Sequence, residues 1–266
     1  MVVFPNAKIN LGLDIISKRE DGYHNISSCF YPIPLADILE VLPSTHFSFT
    51  SSGIEIPGEG NLCIKAFELI KADFNIEPVD IHLHKIIPIG AGLGGGSSDA
   101  SFTLKCLNEI YTLNLSNTHL EAYAAQLGSD CPFFIDNKPV IATGTGTDFK
   151  PASVDLIGKY LIVLNPGIHI STAEAYSGVN PQTPELPIEE IISEPVKKWQ
   201  GKLKNDFENS VLIKYPEIGR IKEALIACGA SYTSMTGSGS SVYGICEKET
   251  KIPANLKNFI CWQGFL

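Results

Sequence analysis

The chain has 266 residues, of which 44% are hydrophobic and 18% charged, and a formal net charge of −9. That length suits one large domain or two small ones, and the acidic balance excludes general nucleic-acid binding, which needs basic surface. Seven scattered cysteines with no Cys-x-x-Cys suggest neither a zinc site nor a disulfide framework, and reduced thiols in a cytosolic protein are the simplest account.

The N-terminus has no basic segment leading into a long apolar core, so no signal peptide is expected. No apolar run reaches the roughly 18 residues of a membrane helix. The first 56 residues read as β, with alternation in Lys8–Ile16 and Asp37–Leu42. Asn61–Asn75 predicts a helix with Leu62, Ala66, Leu69 and Ile70 on one face, and Val79–Ile87 predicts a strand. A helix over Asp99–Ile110 and a second over Thr118–Leu127, stopped by Gly128, follow. Val140–Gly146 reads as a strand and turn, and composition shifts toward a loop around Lys150. Beyond it come a strand at Tyr160–Leu164 and a proline-rich loop at Val179–Pro187. Helices near Asp206–Tyr215 and Glu217–Cys228 precede strands at Ser241–Cys246 and Phe259–Trp262. The reading is an α+β protein in two sections, 1–150 and 151–266.

Between the predicted strand at 79–87 and the helix at 99–110 lies Pro88-Ile89-Gly90-Ala91-Gly92-Leu93-Gly94-Gly95-Gly96-Ser97-Ser98. Glycines let a backbone turn tightly and approach a ligand closely, and a helix opening after them aims free N–H groups and a positive dipole end at an anion. Gly90, Gly92 and Gly95 satisfy G-x-G-x-x-G, but Glu109, at the spacing of a dinucleotide fold's acidic residue, lies inside the predicted helix. Gly96 runs into Ser97 without the lysine of a Walker A loop, and neither Val-Ala-Ile-Lys nor His-Arg-Asp of a protein kinase occurs. Phosphate binding is expected, by none of those three routes.

Four other segments hold more polar residues and glycine than packing requires. In Pro5-Asn-Ala-Lys-Ile-Asn10, Lys8 and Asn10 share a strand face. Arg19–His24 joins an Asp21-Gly22 turn to Tyr23 and His24, either ordinary loop residues or a grip on a flat heterocycle. Asp130 sits in Leu127–Phe134, as a plain turn residue or as a carboxylate at a rigid corner. Met235–Tyr243 is either a flexible β-turn or a second anion-cradling loop. His82 and His84 share a strand face, but two ligands are too few for zinc. Trp199 and Trp262 read as packing residues.

Together these segments resemble the GHMP kinases, the family of galactokinase and of homoserine, mevalonate and phosphomevalonate kinases. Pro5–Leu11 is similar to the family's first motif, Pro88–Ala100 to its second and Thr236–Val242 to its third. Gly128–Phe134 and Asn165–Tyr176 also fit, so the resemblance covers nearly the whole chain. It implies a two-domain α+β fold, a ribosomal-protein-S5-like N-terminal domain followed by a ferredoxin-like C-terminal domain. It implies ATP with Mg²⁺, the phosphates held by Pro88–Ser98, with Ser97 or Ser98 near the metal or a phosphate oxygen.

The resemblance makes Asp130 the group that takes or orients the acceptor hydroxyl's proton, and Lys8 the cation that stabilises that carboxylate and the transferring group. Asp21–His24 is the signature of the branch whose small-molecule acceptor is a cytidine-diphosphate-linked methylerythritol. Tyr23 and Tyr176 then stack on cytosine and His24 reads its polar edge. Asn10 and Thr172 contact the methylerythritol or its diphosphate, while Gly237, Ser238 and Gly239 close over that diphosphate or flank the centre. These aromatics speak against mevalonate or homoserine, and Lys8 with Asp130 speaks against a mere nucleotide sensor. Ala142–Thr147 departs from the family, whose members often carry charge between these glycines.

Overall fold

The computed structural model describes residues 1–58 and 60–266. In chain order the elements are β1 (Val2–Val3), β2 (Asn6–Lys18), β3 (His24–Ala36), β4 (Ile38–Pro43), β5 (Ser48–Gly53), α1 (Leu62–Asp73), β6 (Val79–Lys85), α2 (Gly95–Ile110), α3 (Asn117–Leu127), α4 (Phe133–Asp136), β7 (Val140–Thr143) and β8 (Asp148–Pro151). Then come β9 (Tyr160–Leu164), α5 (Thr172–Ser177), α6 (Ile188–Ile192), α7 (Glu208–Lys214), α8 (Pro216–Ala227), β10 (Tyr232–Met235), β11 (Val242–Cys246) and β12 (Ile260–Phe265). The mixture is α+β, as the sequence pattern predicts.

The chain divides into two compact units. One comprises Met1–Ala7, Pro34–Ile89 and Gly94–Lys138, the other Lys8–Ile33, Gly90–Leu93 and Pro139–Leu266. In the first unit a sheet of order β1-β4-β6-β5 has antiparallel β4–β6 and parallel β5–β6 pairs, α1 being the crossover. Val79, Ile81 and Leu83 of β6 point into a core shared with Phe67 and Ile70 of α1 and Leu104 and Leu107 of α2. The opposite face carries Asp80, His82 and His84. There His82 bonds Thr50 and Ser52, and His84 bonds Ser52, so hydroxyls occupy the pair that sequence alone left without a role.

The second unit holds two sheets, β2-β3-β7-β8 and β10-β11-β9-β12. All five residues of β9, the strand between β11 and β12, are buried, so both its faces are covered, which explains an uninterrupted apolar run where a solvated face would alternate. Gly244 of β11 lets Leu225 and Ala230, on and just past α8, pack down; a Cβ there would lie 3.3 Å from each.

Several boundaries differ from the sequence pattern. Helix α2 begins four residues early, at Gly95, because Gly94 is a left-handed cap (φ +70°) and the next glycines themselves take helical backbone. Gly128 ends α3 with extended backbone (φ 169°), not through a left-handed turn. The chain around Lys150, read as the start of a loop, pairs with β7 as β8, and residues 144–147 turn that hairpin. The short helices α5 and α6 carry too few turns for periodicity to reveal.

Candidate active site

The glycine-rich segment turns left-handed at alternate positions, with φ of +67°, +79° and +70° at Gly90, Gly92 and Gly94. Such turns gather backbone N–H groups into a concave anion nest, and the first amides of α2 have no intrahelical acceptor. Gly92 is also sterically required, since a Cβ there would lie 1.9 Å from the Thr236 carbonyl oxygen. A Cβ on Gly239 would lie 2.2 Å from the Ala91 carbonyl carbon. The second and third glycine segments therefore cross backbone on backbone within the second unit. This cradle suits a polyphosphate.

Strand β2 enters the same crossing. The buried Lys8 donates from Nζ to Asn10 Oδ1 at 2.5 Å and lies 4.6 Å over the Phe30 ring, and Lys8 N donates to Leu93 O. Every polar group of Asn10 is engaged. Its N–H donates to Thr236 Oγ1 at 3.0 Å, its Nδ2 to Ser28 Oγ at 2.8 Å, and its carbonyl accepts from Tyr243 OH at 2.7 Å. The Thr236 hydroxyl has Gly92 O at 3.0 Å and Asn10 Oδ1 at 3.2 Å as acceptors. Three segments far apart in sequence thus meet through two side chains.

The aromatic and hydroxyl candidates also gather in the second unit. His24 stacks on Tyr176 with centroids 4.7 Å apart and planes 22° from parallel, and Tyr176 and Phe207 meet edge to face. Burial, then the charge of Lys18, push the His24 imidazole below its ordinary value, which favours the neutral ring at pH 7. Tyr23 is 68% exposed. Thr172 Oγ1 lies 3.5 Å from Ser238 Oγ, joining α5 to the third segment. His169 Nδ1 would lie 3.5 Å from a Cβ on Gly90, a neighbour that sequence reasoning missed.

Asp130 belongs to the first unit, in the tight turn between α3 and α4. Ser101 anchors that turn. Its buried hydroxyl donates to Cys131 O at 2.6 Å, and Ser97 O, one helical turn back, is its other acceptor. Sequence reasoning passed over Ser101, although Ser97 and Ser101 at i, i+4 share one helix face.

It also missed the group that holds both ends of the glycine-rich segment. Lys85, 3% exposed, donates to Asp37 Oδ2 at 2.6 Å and Asp99 Oδ2 at 2.5 Å. Asp37 Oδ1 accepts from the amides of Ile86 and Ile87, just before the segment, while Asp99 lies in α2 just after it. Asp99 Oδ1 is buried without a partner. Burial, with Asp37 nearby, outweighs Lys85 and raises the Asp99 carboxyl to about 7. Burial pulls Lys85 down, but the two carboxylates outweigh it and its ammonium is held above the ordinary value. The signal was legible: Val79, Ile81, Leu83 and Lys85 alternate on one face, and a lysine ending an apolar face needs a counter-charge. Among the described residues no group of three or more His, Cys, Asp or Glu side chains is placed to hold a metal ion, and no helix is long and apolar enough to cross a membrane.

Residues 61–138 match the GHMP kinases N terminal domain and residues 190–259 the GHMP kinases C terminal domain, on either side of residue 150. The chain is 53% identical over 248 residues to the 4-diphosphocytidyl-2-C-methyl-D-erythritol kinase of Cytophaga hutchinsonii, covering 92% of each chain. It is 50% identical over 270 residues to that of Parabacteroides distasonis, covering 100% of both. A crystal structure of 4-(cytidine 5'-diphospho)-2C-methyl-D-erythritol kinase superposes with a TM-score of 0.80 at 35% identity, over 93% of this chain and 90% of that one. A mevalonate kinase shares the fold at a TM-score of 0.70 and 15% identity, over 92% and 91%. Motifs, fold and relatives agree: the chain belongs to the GHMP kinase family.

Proposed function

We propose that this chain transfers the γ-phosphoryl group of ATP to the 2-hydroxyl of 4-diphosphocytidyl-2-C-methyl-D-erythritol, giving the 2-phosphate and ADP, in non-mevalonate isoprenoid precursor synthesis in the cytoplasm. The acceptor oxygen bonds to the γ-phosphorus as its bond to the β,γ-bridging oxygen breaks, and the hydroxyl proton leaves to Asp130. The stacked His24–Tyr176 pair on the Asp21–His24 signature carries the choice of acceptor: a ring pair serves a nucleobase, and mevalonate or homoserine has none to offer. Full-length relatives at 50% identity and above support the same reading.

In this reading Pro88–Ser98 wraps the ATP phosphates, with backbone amides as donors. Lys8 lowers the energy of negative charge at the transferring group. Asn10, Thr172 and the Gly237–Gly239 turn contact the acceptor's polyol and diphosphate, and Tyr23, His24 and Tyr176 its base. Ser97 or Ser98 would stand beside a magnesium ion bound with the nucleotide, which would supply charge neutralising the phosphates. The division at 1–150 and 151–266 remains our proposed domain assignment.

The test is ³¹P NMR of the protein with ATP, magnesium and the cytidine acceptor, with mevalonate and homoserine in parallel tubes. A new phosphomonoester resonance with the cytidine compound alone is expected; transfer to another alcohol refutes the acceptor. In the same assay Asp130→Asn should lose at least about 100-fold in turnover, the scale of a lost general base, and bind ATP within about twofold of wild type. Turnover within about tenfold of wild type removes Asp130 from that role.

A further inference from the structure

The segment Asn205-Asp206-Phe207-Glu208, which the sequence presents only as the start of a helix, ties several parts of the second unit together. Leu13 N donates to Lys204 O and Asp206 N to Leu13 O, lacing the segment to the strand that bears Lys8 and Asn10. Asp206 Oδ2 accepts from Ile15 N at 2.7 Å. The Phe207 and Tyr176 rings meet edge to face, centroids 4.9 Å apart. Glu208 Oε1 accepts from Met235 N at 2.7 Å and Ser234 Oγ at 3.1 Å, while Oε2 pairs with Lys222. Asn205, 2% exposed, donates from Nδ2 to Met235 O at 3.2 Å and Gly237 O at 2.9 Å, and its Oδ1 accepts from Phe207 N.

We infer that Asn205 is a positioning residue for phosphoryl transfer, holding the Thr236–Gly239 turn in the one register that lets it cross the Ala91–Gly92 backbone. The inference rests on the kinase reading above. At that crossing the atoms leave no slack: Gly237 is left-handed (φ +56°), Gly239 has no room for a Cβ, and Gly92 Cα lies 3.2 Å from where a Gly237 Cβ would be. A turn that drifts by a few tenths of an ångström collides there or pulls Thr236 from Asn10. Asn205 bridges the carbonyls on both sides of Thr236, so it sets the direction of that residue. An amide has two donors and one acceptor on a short stem, and all are used here. Aspartate keeps the shape and the acceptor but loses both donors. Serine keeps an acceptor for Phe207 N and adds no buried charge, but its shorter side chain cannot span both carbonyls.

The experiment compares wild type, Asn205→Asp and Asn205→Ser by steady-state kinetics at 25 °C, ATP titration and hydrogen exchange. Both variants should lose at least tenfold in kcat/KM for the cytidine acceptor. ATP affinity should stay within about twofold, because the flanks of the glycine-rich segment are held separately by Lys85. Exchange should quicken locally over residues 234–242 in Asn205→Ser. A folded Asn205→Ser with kcat/KM within threefold of wild type overturns the inference. So does a failure of Asn205→Ser to fold, equal loss of ATP affinity, or unchanged exchange over 234–242. Wild-type transfer in the same tubes decides the kinase reading separately. If wild type transfers nothing, that reading fails, and the exchange result still decides whether Asn205 holds the turn.

Discussion

The two units steady their polar motifs by opposite means. In the first, one buried ammonium, Lys85, bridges Asp37 and Asp99 on either side of the glycine-rich segment. In the second, mostly neutral bonds around Asn10 and Thr236 join the first, second and third motifs. A buried ion cluster is a poor source of net stability, because desolvation offsets most of the attraction, but removing one member leaves charge stranded. A neutral web costs less to bury and fails one bond at a time. The segment held by charge must keep its shape beside the polyphosphate proposed to bind it, whereas the web must register three backbones.

The largest effect should come from removing the cation. Lys85→Met leaves Asp37 and Asp99 buried together and should cost about 3–5 kcal/mol in urea unfolding. A loss under about 1 kcal/mol would show that the cluster is not held by charge. Next, Thr236→Val keeps the β-branched shape but strands the buried Asn10 N–H; about 1–3 kcal/mol is expected, with acceptor turnover falling more than ATP affinity. An unchanged stability would mean the web tolerates a missing bond better than the comparison holds.

The smallest effect is a pH dependence. The Asp99 carboxyl keeps its proton to about pH 7 in the folded chain, against an ordinary value of 3.8. Between those values the native state binds more protons than the unfolded chain, so stability falls as pH rises, and the loss is complete above about pH 7. Asp99→Asn should flatten that slope, so that its stability relative to wild type improves from pH 4 to pH 8. Parallel slopes in urea melts across pH 4–8 would contradict it. Asp14 of the second unit, raised to about 7 by burial and then by Asp206, is less deeply buried, and Asp14→Asn should flatten the profile less.

Much of the candidate site's assembly was legible in the residues. The glycine pattern, Lys8, Asn10 and the hydroxyls after Met235 stand out because packing alone does not call for them, and the structure brings Asn10, Gly92 and Thr236 into one bonded group. Asn205 and Glu208 were invisible because each is an ordinary polar residue at the mouth of a helix. Their partners on and just after β10 lie 26 to 32 residues away, where no spacing rule reaches. Of the aromatic candidates, His24 and Tyr176 come together in the fold as a stacked pair, and Tyr176 also meets Phe207, a contact no local spacing reveals.

Local chemistry settled what each segment is able to do. The β6 alternation, the Asn61 cap whose side chain accepts from Cys63 N, and the anion-seeking glycines depend only on neighbours in the chain. Tertiary structure decided which segments meet and which of their groups lose water. It made Gly92 indispensable through an oxygen of Thr236, 144 residues away, and moved the Asp99 carboxyl by burying it beside a second carboxylate. The physical reason is range: propensity, capping and turn chemistry act over a few residues, whereas close backbone crossing and desolvation exist only after distant parts of the chain have packed together.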